Sequence, residues 1–281
     1  MSPGPPSARP GLDAAGGLRG SAGRRARPGG RRGERAVAEL VAEAAAAPVH
    51  GWDFSWLDGR ATEERPPWGY ARLVAARLAA VSAALDIDTG GGEVLAEAPA
   101  PPPLLVATEA WPPNVAVARR TLRRVGATVV QIGPASALPF RDASFDLVTS
   151  RHPVATEWTE IARVLRPGGA YLSQQIGPGT MRELSEAILG PLPPPTSRQP
   201  AVAAARAAGL SVVRLEQATL RAVFHDVGAV VWFLRKVVWT APGFDVDRHR
   251  PQLAALDRRI RAEGAFVAHA RRFLIEAVRP A

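Results

Sequence analysis

The stretch "LDIDTGGGE", residues 85–93, sets two acids, Asp86 and Asp88, ahead of three glycines, Gly90, Gly91 and Gly92, and a third acid, Glu93, behind them. Glycines lack a Cβ, so the backbone at such a loop can come very close to a ligand. The carboxylates select the sign of that ligand: they repel a pyrophosphate and attract an ammonium or a sulfonium. Further on, Glu109 in "LLVATEA" can accept hydrogen bonds from both hydroxyls of a ribose. His152 in "TSRHPV" is a candidate general base, because an imidazole with a pKa near 6.5 takes up a proton near neutral pH. The other reading of His152 is a plain surface-loop histidine.

These residues act together only if the chain brings them to one place. Short apolar runs at Ala83–Ile87, Leu104–Thr108, Ala127–Ile132, Phe145–Ser150 and Ala170–Ile176 read as strands. Helical stretches at Asn114–Arg123 and Glu157–Leu165 lie between them, the second stopped by "RPGG". Strands alternating with helices imply a parallel, right-handed, doubly wound α/β sheet. Ligands bind such sheets at the carboxyl ends of the strands. Asp86, Glu109 and His152 all fall at such ends. About a dozen residues, including "APAPPP", separate Gly92 from the next strand, leaving room only for a short helix. A helix that short is a poor holder of pyrophosphate.

Later elements are less regular. Thr180–Leu189, Ala201–Ala208, Asp226–Val238 and Arg248–Glu263 read as helices, and Ser211–Leu215 and Phe273–Val278 as strands. The segment Ala36–Ser82 opens with an Ala- and Glu-rich helix and then crowds Trp52, Trp56, Trp68 and Tyr70 together.

Composition narrows the function. The chain has 281 residues, 47% of them hydrophobic, and a formal charge of +9. Most of the excess charge sits in residues 1–35, where Arg9, Arg19, Arg24, Arg25, Arg27, Arg31, Arg32 and Arg35 face only Asp13 and Glu34. That tail, rich in Gly, Pro and Arg, cannot bury enough apolar surface to offset its ordering entropy and is expected to be disordered. It has no apolar run suited to a signal peptide. Lys236 is the sole lysine, so the arginine excess reads as a coding bias, and nucleic acid is not the favoured partner. The absence of cysteine excludes disulfides, cysteine-ligated zinc and thiol nucleophiles. The scattered histidines show no metal-ligand spacing, so no metal site is expected. No apolar run reaches the length of a membrane span, and a cytoplasmic protein is expected.

Four blocks in order resemble the class I S-adenosylmethionine-dependent methyltransferases. They are "LDIDTGGG", "TEAWPPNVAVARR", "LPFRDASFDLV" and "EIARVLRPGGAYL", and they cover roughly residues 83–176. The resemblance implies a Rossmann-like, doubly wound, mostly parallel seven-stranded sheet with helices on both faces and an N-terminal helical lid. It implies three parts: the tail 1–35, a lid segment 36–82, and a methyltransferase domain 83–281 with a substrate-side insertion at about 177–250. It implies S-adenosyl-L-methionine as cofactor, held by Asp86, Asp88, Gly90, Gly91, Gly92, Glu109, Ala110 and Ala135. The family usually has glycine where Asp88 stands, and often has an acid where this chain has Pro134.

For the acceptor side, Arg151 could orient an acidic substrate or be solvated. Gln174 and Gln175 are neighbours in a strand, so they point to opposite faces. Gln175 is expected to contact the acceptor, the alternative being a bond that closes a helix or loop. Trp56 and Tyr70 are expected in the lid over the acceptor, or else as packing. His225 is expected to border the pocket, beside Asp226, which reads equally as a helix N-cap. The expected function is methyl transfer to an unidentified small-molecule acceptor. The alternatives are an RNA methyltransferase and a non-catalytic scaffold or sensor of the same fold.

Overall fold

The computed structural model describes residues 36–49, 53–133, 137–195 and 200–281. The tail 1–35, Trp52, Pro134 and Ala135 therefore lie outside the described residues. Among the described residues one eight-stranded sheet forms. Its strands are β1 (Ala61–Glu63), β2 (Ala83–Ile87), β3 (Leu104–Glu109), β4 (Thr128–Gln131), β5 (Phe145–Arg151), β6 (Leu165–Ile176), β7 (Ser211–Phe224) and β8 (Phe266–Val278). Their order across the sheet is β1-β7-β8-β6-β5-β2-β3-β4.

The strands from β4 through β3, β2 and β5 to β6 pair in parallel. β8 runs antiparallel to both β6 and β7, and β1 runs antiparallel to β7. The chain winds outward from β2 to β4, then returns to place β5 on the other side of β2. That reversal is the switch point where an open α/β sheet takes its ligand. The expected seven strands are present with one addition. β1 is the eighth, a three-residue "ATE" edge strand whose polar sequence carries no strand signal.

Helices cover both faces because the central strands are apolar on both sides. One face packs α2 (Tyr70–Leu78), α3 (Glu93–Ala96) and α4 (Pro112–Leu122) through Val74, Leu78, Leu95, Ala118 and Leu122. Pro112 and Pro113 open α4, where the first N–H groups have no intrahelical partner to lose. The other face packs α5 (Trp158–Val164) and α7 (Pro200–Ala207) on Leu85, Phe145, Val148 and Tyr171.

β7 and β8 are far longer than their apolar runs suggest, at 14 and 13 residues. β6 ends at Ile176, opposite Arg272, so the outer parts of β7 and β8 project beyond it. There they carry a second core. Leu220, Ala222, Phe224, Phe266, Ala268 and Ala270 pack with α1 (Val37–Ala46), α6 (Arg182–Leu189), α8 (Val227–Lys236) and α9 (Arg250–Glu263). α8 is buried on nearly every side, as its apolar sequence requires. The segment 36–82 is thus divided. α1 and β1 belong to the second core, and α2 to the first. The stretch 177–250 is likewise not one insertion, since it contains β7, a strand of the sheet itself.

Candidate active site

Asp86 lies in β2, buried, where the Thr149 hydroxyl of β5 donates to its Oδ1 at 2.5 Å. Burial raises its pKa to about 6, and the nearby Asp88 and Glu109 add to the rise. Asp88 sits at φ 55°, in the left-handed region. Aspartate is among the few residues that visit it, which is how it replaces a glycine here. Its carboxyl accepts from the Val154 amide at 3.3 Å, and burial pushes its pKa up as well. Gly92 precedes the four-residue α3 at φ 84°, and a Cβ there would stand 2.6 Å from Leu122 Cγ. This glycine is therefore demanded by the packing of α4 against the loop.

Glu109 ends β3, one strand over, and is buried. Its Oε2 accepts from the Gly90 amide at 2.8 Å, and its Oε1 from the amides of Ala110 at 2.9 Å and Trp111 at 2.8 Å. The Asn114 carboxamide donates to Oε2 over a longer 3.5 Å. Burial still raises the pKa of Glu109 despite these bonds. Glu93, at the start of α3, adds a buried Oε2 that has no hydrogen-bond partner among the described residues. The carboxyls of Asp86, Asp88, Glu93 and Glu109 thus gather around one glycine loop. Desolvated carboxyls in such a cluster are costly until a cation joins them.

On the acceptor side, His152 follows β5 at φ 55° and is buried. Its amide donates to the Gln174 carbonyl at 2.7 Å. Its Nε2 lies 2.9 Å from Gln174 Nε2, while Gln174 Oε1 accepts from the Trp68 indole at 2.7 Å. Burial first, then the charges of Arg272 and Arg151, hold its pKa well below the usual imidazole value. Arg272 pairs with Glu63 at 3.1 Å. The Tyr70 hydroxyl donates to the Ser150 carbonyl at 2.7 Å and so ties α2 to the tip of β5.

The other expected residues fall elsewhere. Gln175 points to the opposite face, donating to Thr156 Oγ1 at 3.2 Å and to the Tyr171 hydroxyl at 3.4 Å. It closes a loop, and Gln174 is the amide joined to His152. Trp56 stacks on Trp232 in the second core, at 5.6 Å between ring centroids, with Arg60 over its face. His225 is exposed, its amide bonded to the Arg60 carbonyl. Asp226 is the N-cap of α8, accepting from the Ala229 amide at 2.8 Å, and also pairs with Arg60. Among the described residues no group of three or more side chains could hold a metal, and no helix is long and apolar enough to cross a membrane.

Residues 85–173, from β2 to β6, match the family described as "Methyltransferase domain". This segment is a class I methyltransferase domain. A malonyl-(acyl-carrier protein) O-methyltransferase of Erwinia billingiae is 39% identical over 107 residues, which is 34% of this chain and 42% of that protein. A second, from Coxiella burnetii, is 36% identical over 69 residues, 22% of this chain and 24% of that protein. The chain thus spans less than half the length of either curated relative. A functionally unknown protein from Deinococcus radiodurans R1 shares the fold, with a TM-score of 0.56 over 77% of this chain and 88% of that one at 14% identity.

The residues at the β2 and β3 tips fit the cofactor of class I methyltransferases. The orphaned Glu93 oxygen and the desolvated Asp86 suit an ammonium or sulfonium. Glu109 suits a ribose. Of these, Glu93 carries no family motif; only its charge beside the glycines marks it in the sequence.

Proposed function

We propose that the chain binds S-adenosylmethionine at the tips of β2 and β3 and transfers its methyl group to a small molecule seated at the tips of β5 and β6. The buried carboxyl cluster around Gly90 carries this reading, because its chemistry calls for a cationic ligand. When bound, that cofactor supplies an electrophilic methyl group. The chain's own residues hold and align the reactants and keep water out. Glu109 and the Gly90 loop would hold the ribose side, and Asp86 and Glu93 the amino-acid side. Trp68 and Tyr70 wall the tips of β5 and β6.

We further propose a carboxylate as the acceptor group. Arg151 and Arg272 bring two positive charges near His152 against the one carboxylate of Glu63, a balance that suits an anion. The named relatives are O-methyltransferases of a malonyl group, and the matched methyltransferase segment includes β5 and its tip. A carboxylate is already ionised at neutral pH, so it needs no base.

Calorimetric titration of the full chain tests the cofactor. S-adenosylmethionine and S-adenosylhomocysteine should bind, and NAD and NADP should not. Absence of binding by the first pair would overturn the proposal.

A further inference from the structure

A hydrogen-bonded chain of three side chains runs from the turn ahead of α2 through β6 to the turn after β5. Trp68 Nε1 lies 2.7 Å from Gln174 Oε1, and Gln174 Nε2 lies 2.9 Å from His152 Nε2. An indole N–H only donates. The carboxamide atom facing Trp68 is therefore the oxygen, and the atom facing His152 is the NH₂ group. That group also only donates, so His152 Nε2 accepts. A neutral imidazole with an accepting Nε2 carries its proton on Nδ1. Nδ1 makes no hydrogen bond among the described residues.

We infer that Trp68 and Gln174 are positioning residues that fix His152 as a neutral, Nδ1-protonated imidazole, so that it meets the acceptor as a hydrogen-bond donor and not as a base. The inference rests on the acceptor site proposed above and deepens it. The one lone pair His152 owns is spent on Gln174. What remains, Nδ1–H, is complementary to an anionic or carbonyl oxygen. For a carboxylate the transfer then balances without a proton. The carboxylate oxygen forms the new bond to the methyl carbon, the carbon–sulfur electron pair returns to sulfur, and a neutral ester and a neutral thioether result. The surroundings oppose protonation of His152. Arg151 on β5 and Arg272 on β8 act on it directly, and Glu63 on β1 is engaged by Arg272. Tyr70 on α2 is held by the Ser150 carbonyl.

The test reads the imidazole itself, in the free full-length protein, and so is independent of cofactor or acceptor binding. Long-range nitrogen–proton spectra of the ¹⁵N-labelled chain distinguish the two tautomers, and His152→Asn identifies the signals. Wild-type His152 should show a protonated Nδ1 and no titration between about pH 5.5 and 8. Gln174→Glu offers Nε2 an acceptor in place of a donor. It should move the proton to Nε2 or raise the titration midpoint by more than about one unit. Trp68→Phe keeps an aromatic ring but removes the indole N–H and so releases the carboxamide, and both tautomers should then appear. A wild-type His152 protonated on Nε2, or titrating near 6.5, would overturn the inference. So would a spectrum unchanged in both variants.

Discussion

The Gly90 amide donates to Glu109 Oε2 across 2.8 Å, which joins the loop after β2 to the tip of β3. Because the same carboxyl also accepts from Ala110 and Trp111, Glu109 organises the site before any ligand arrives. Glu109→Ala should therefore do two things. It should weaken S-adenosylhomocysteine binding at least tenfold by calorimetry. It should also cost about 1–3 kcal/mol of stability in denaturant unfolding, because buried amides lose their acceptor.

Asp86 has a sign that pH can read. Its folded pKa is raised, to about 6. Its share of stability is therefore full below the unfolded value of about 4 and is lost as pH rises through 6. The free protein should lose about 2–3 kcal/mol over that window relative to Asp86→Asn, measured as melting temperature against pH. A cationic ligand prefers the ionised carboxyl, so wild-type affinity for S-adenosylmethionine should rise across the same window. The slope should vanish in Asp86→Asn.

Gly92 is a packing position as well as a loop position. Gly92→Ala should cost about 1–3 kcal/mol, from overpacking against Leu122 and from the left-handed backbone. Leu122→Ala destabilises on its own but makes room for the new methyl. The double variant should be less destabilised than the sum of the two single changes, as read from a double-mutant cycle.

The second core can be disturbed without touching the cofactor site. Asp226→Ala removes the N-cap of α8 and leaves Arg60 without that carboxyl. A loss of about 1–3 kcal/mol is expected in thermal unfolding. Binding of S-adenosylhomocysteine should stay within about twofold of the parent, and a larger loss would show that the two cores are energetically coupled.

The acidic half of the site was legible because every part of it is local. Asp86 and Glu109 lie at the ends of strands with continuous apolar runs, the glycines follow the first of these, and β2 occupies the bounds its sequence marks, Ala83–Ile87. The acceptor half was not, because the choice between Gln174 and Gln175 depends on the phase of the pleat. Only the pairing of β6 with β5 and β8 settles that phase. The outer parts of β7 and β8 were hidden by Arg221, His269 and Arg271, polar residues set among apolar ones. Trp56 and His225 were misplaced for a related reason. An aromatic or a histidine near a site in sequence goes where its element leads: Trp56 stacks on Trp232 of α8, and His225, just past β7, is exposed with its amide bonded to the Arg60 carbonyl.

β7 and β8 pass from one core to the next without a joint. Leu274 faces the first core, Leu220 and Ala270 face the second, and Ala218 packs against both. Leu274 is also the residue opposite Gln174. The two cores therefore share a spine where a modular protein would have a linker. The stretch that matches the methyltransferase family, 85–173, stops short of that spine and does not include β8, the neighbour of β6. That stretch thus ends within the sheet, short of the strands the two cores share.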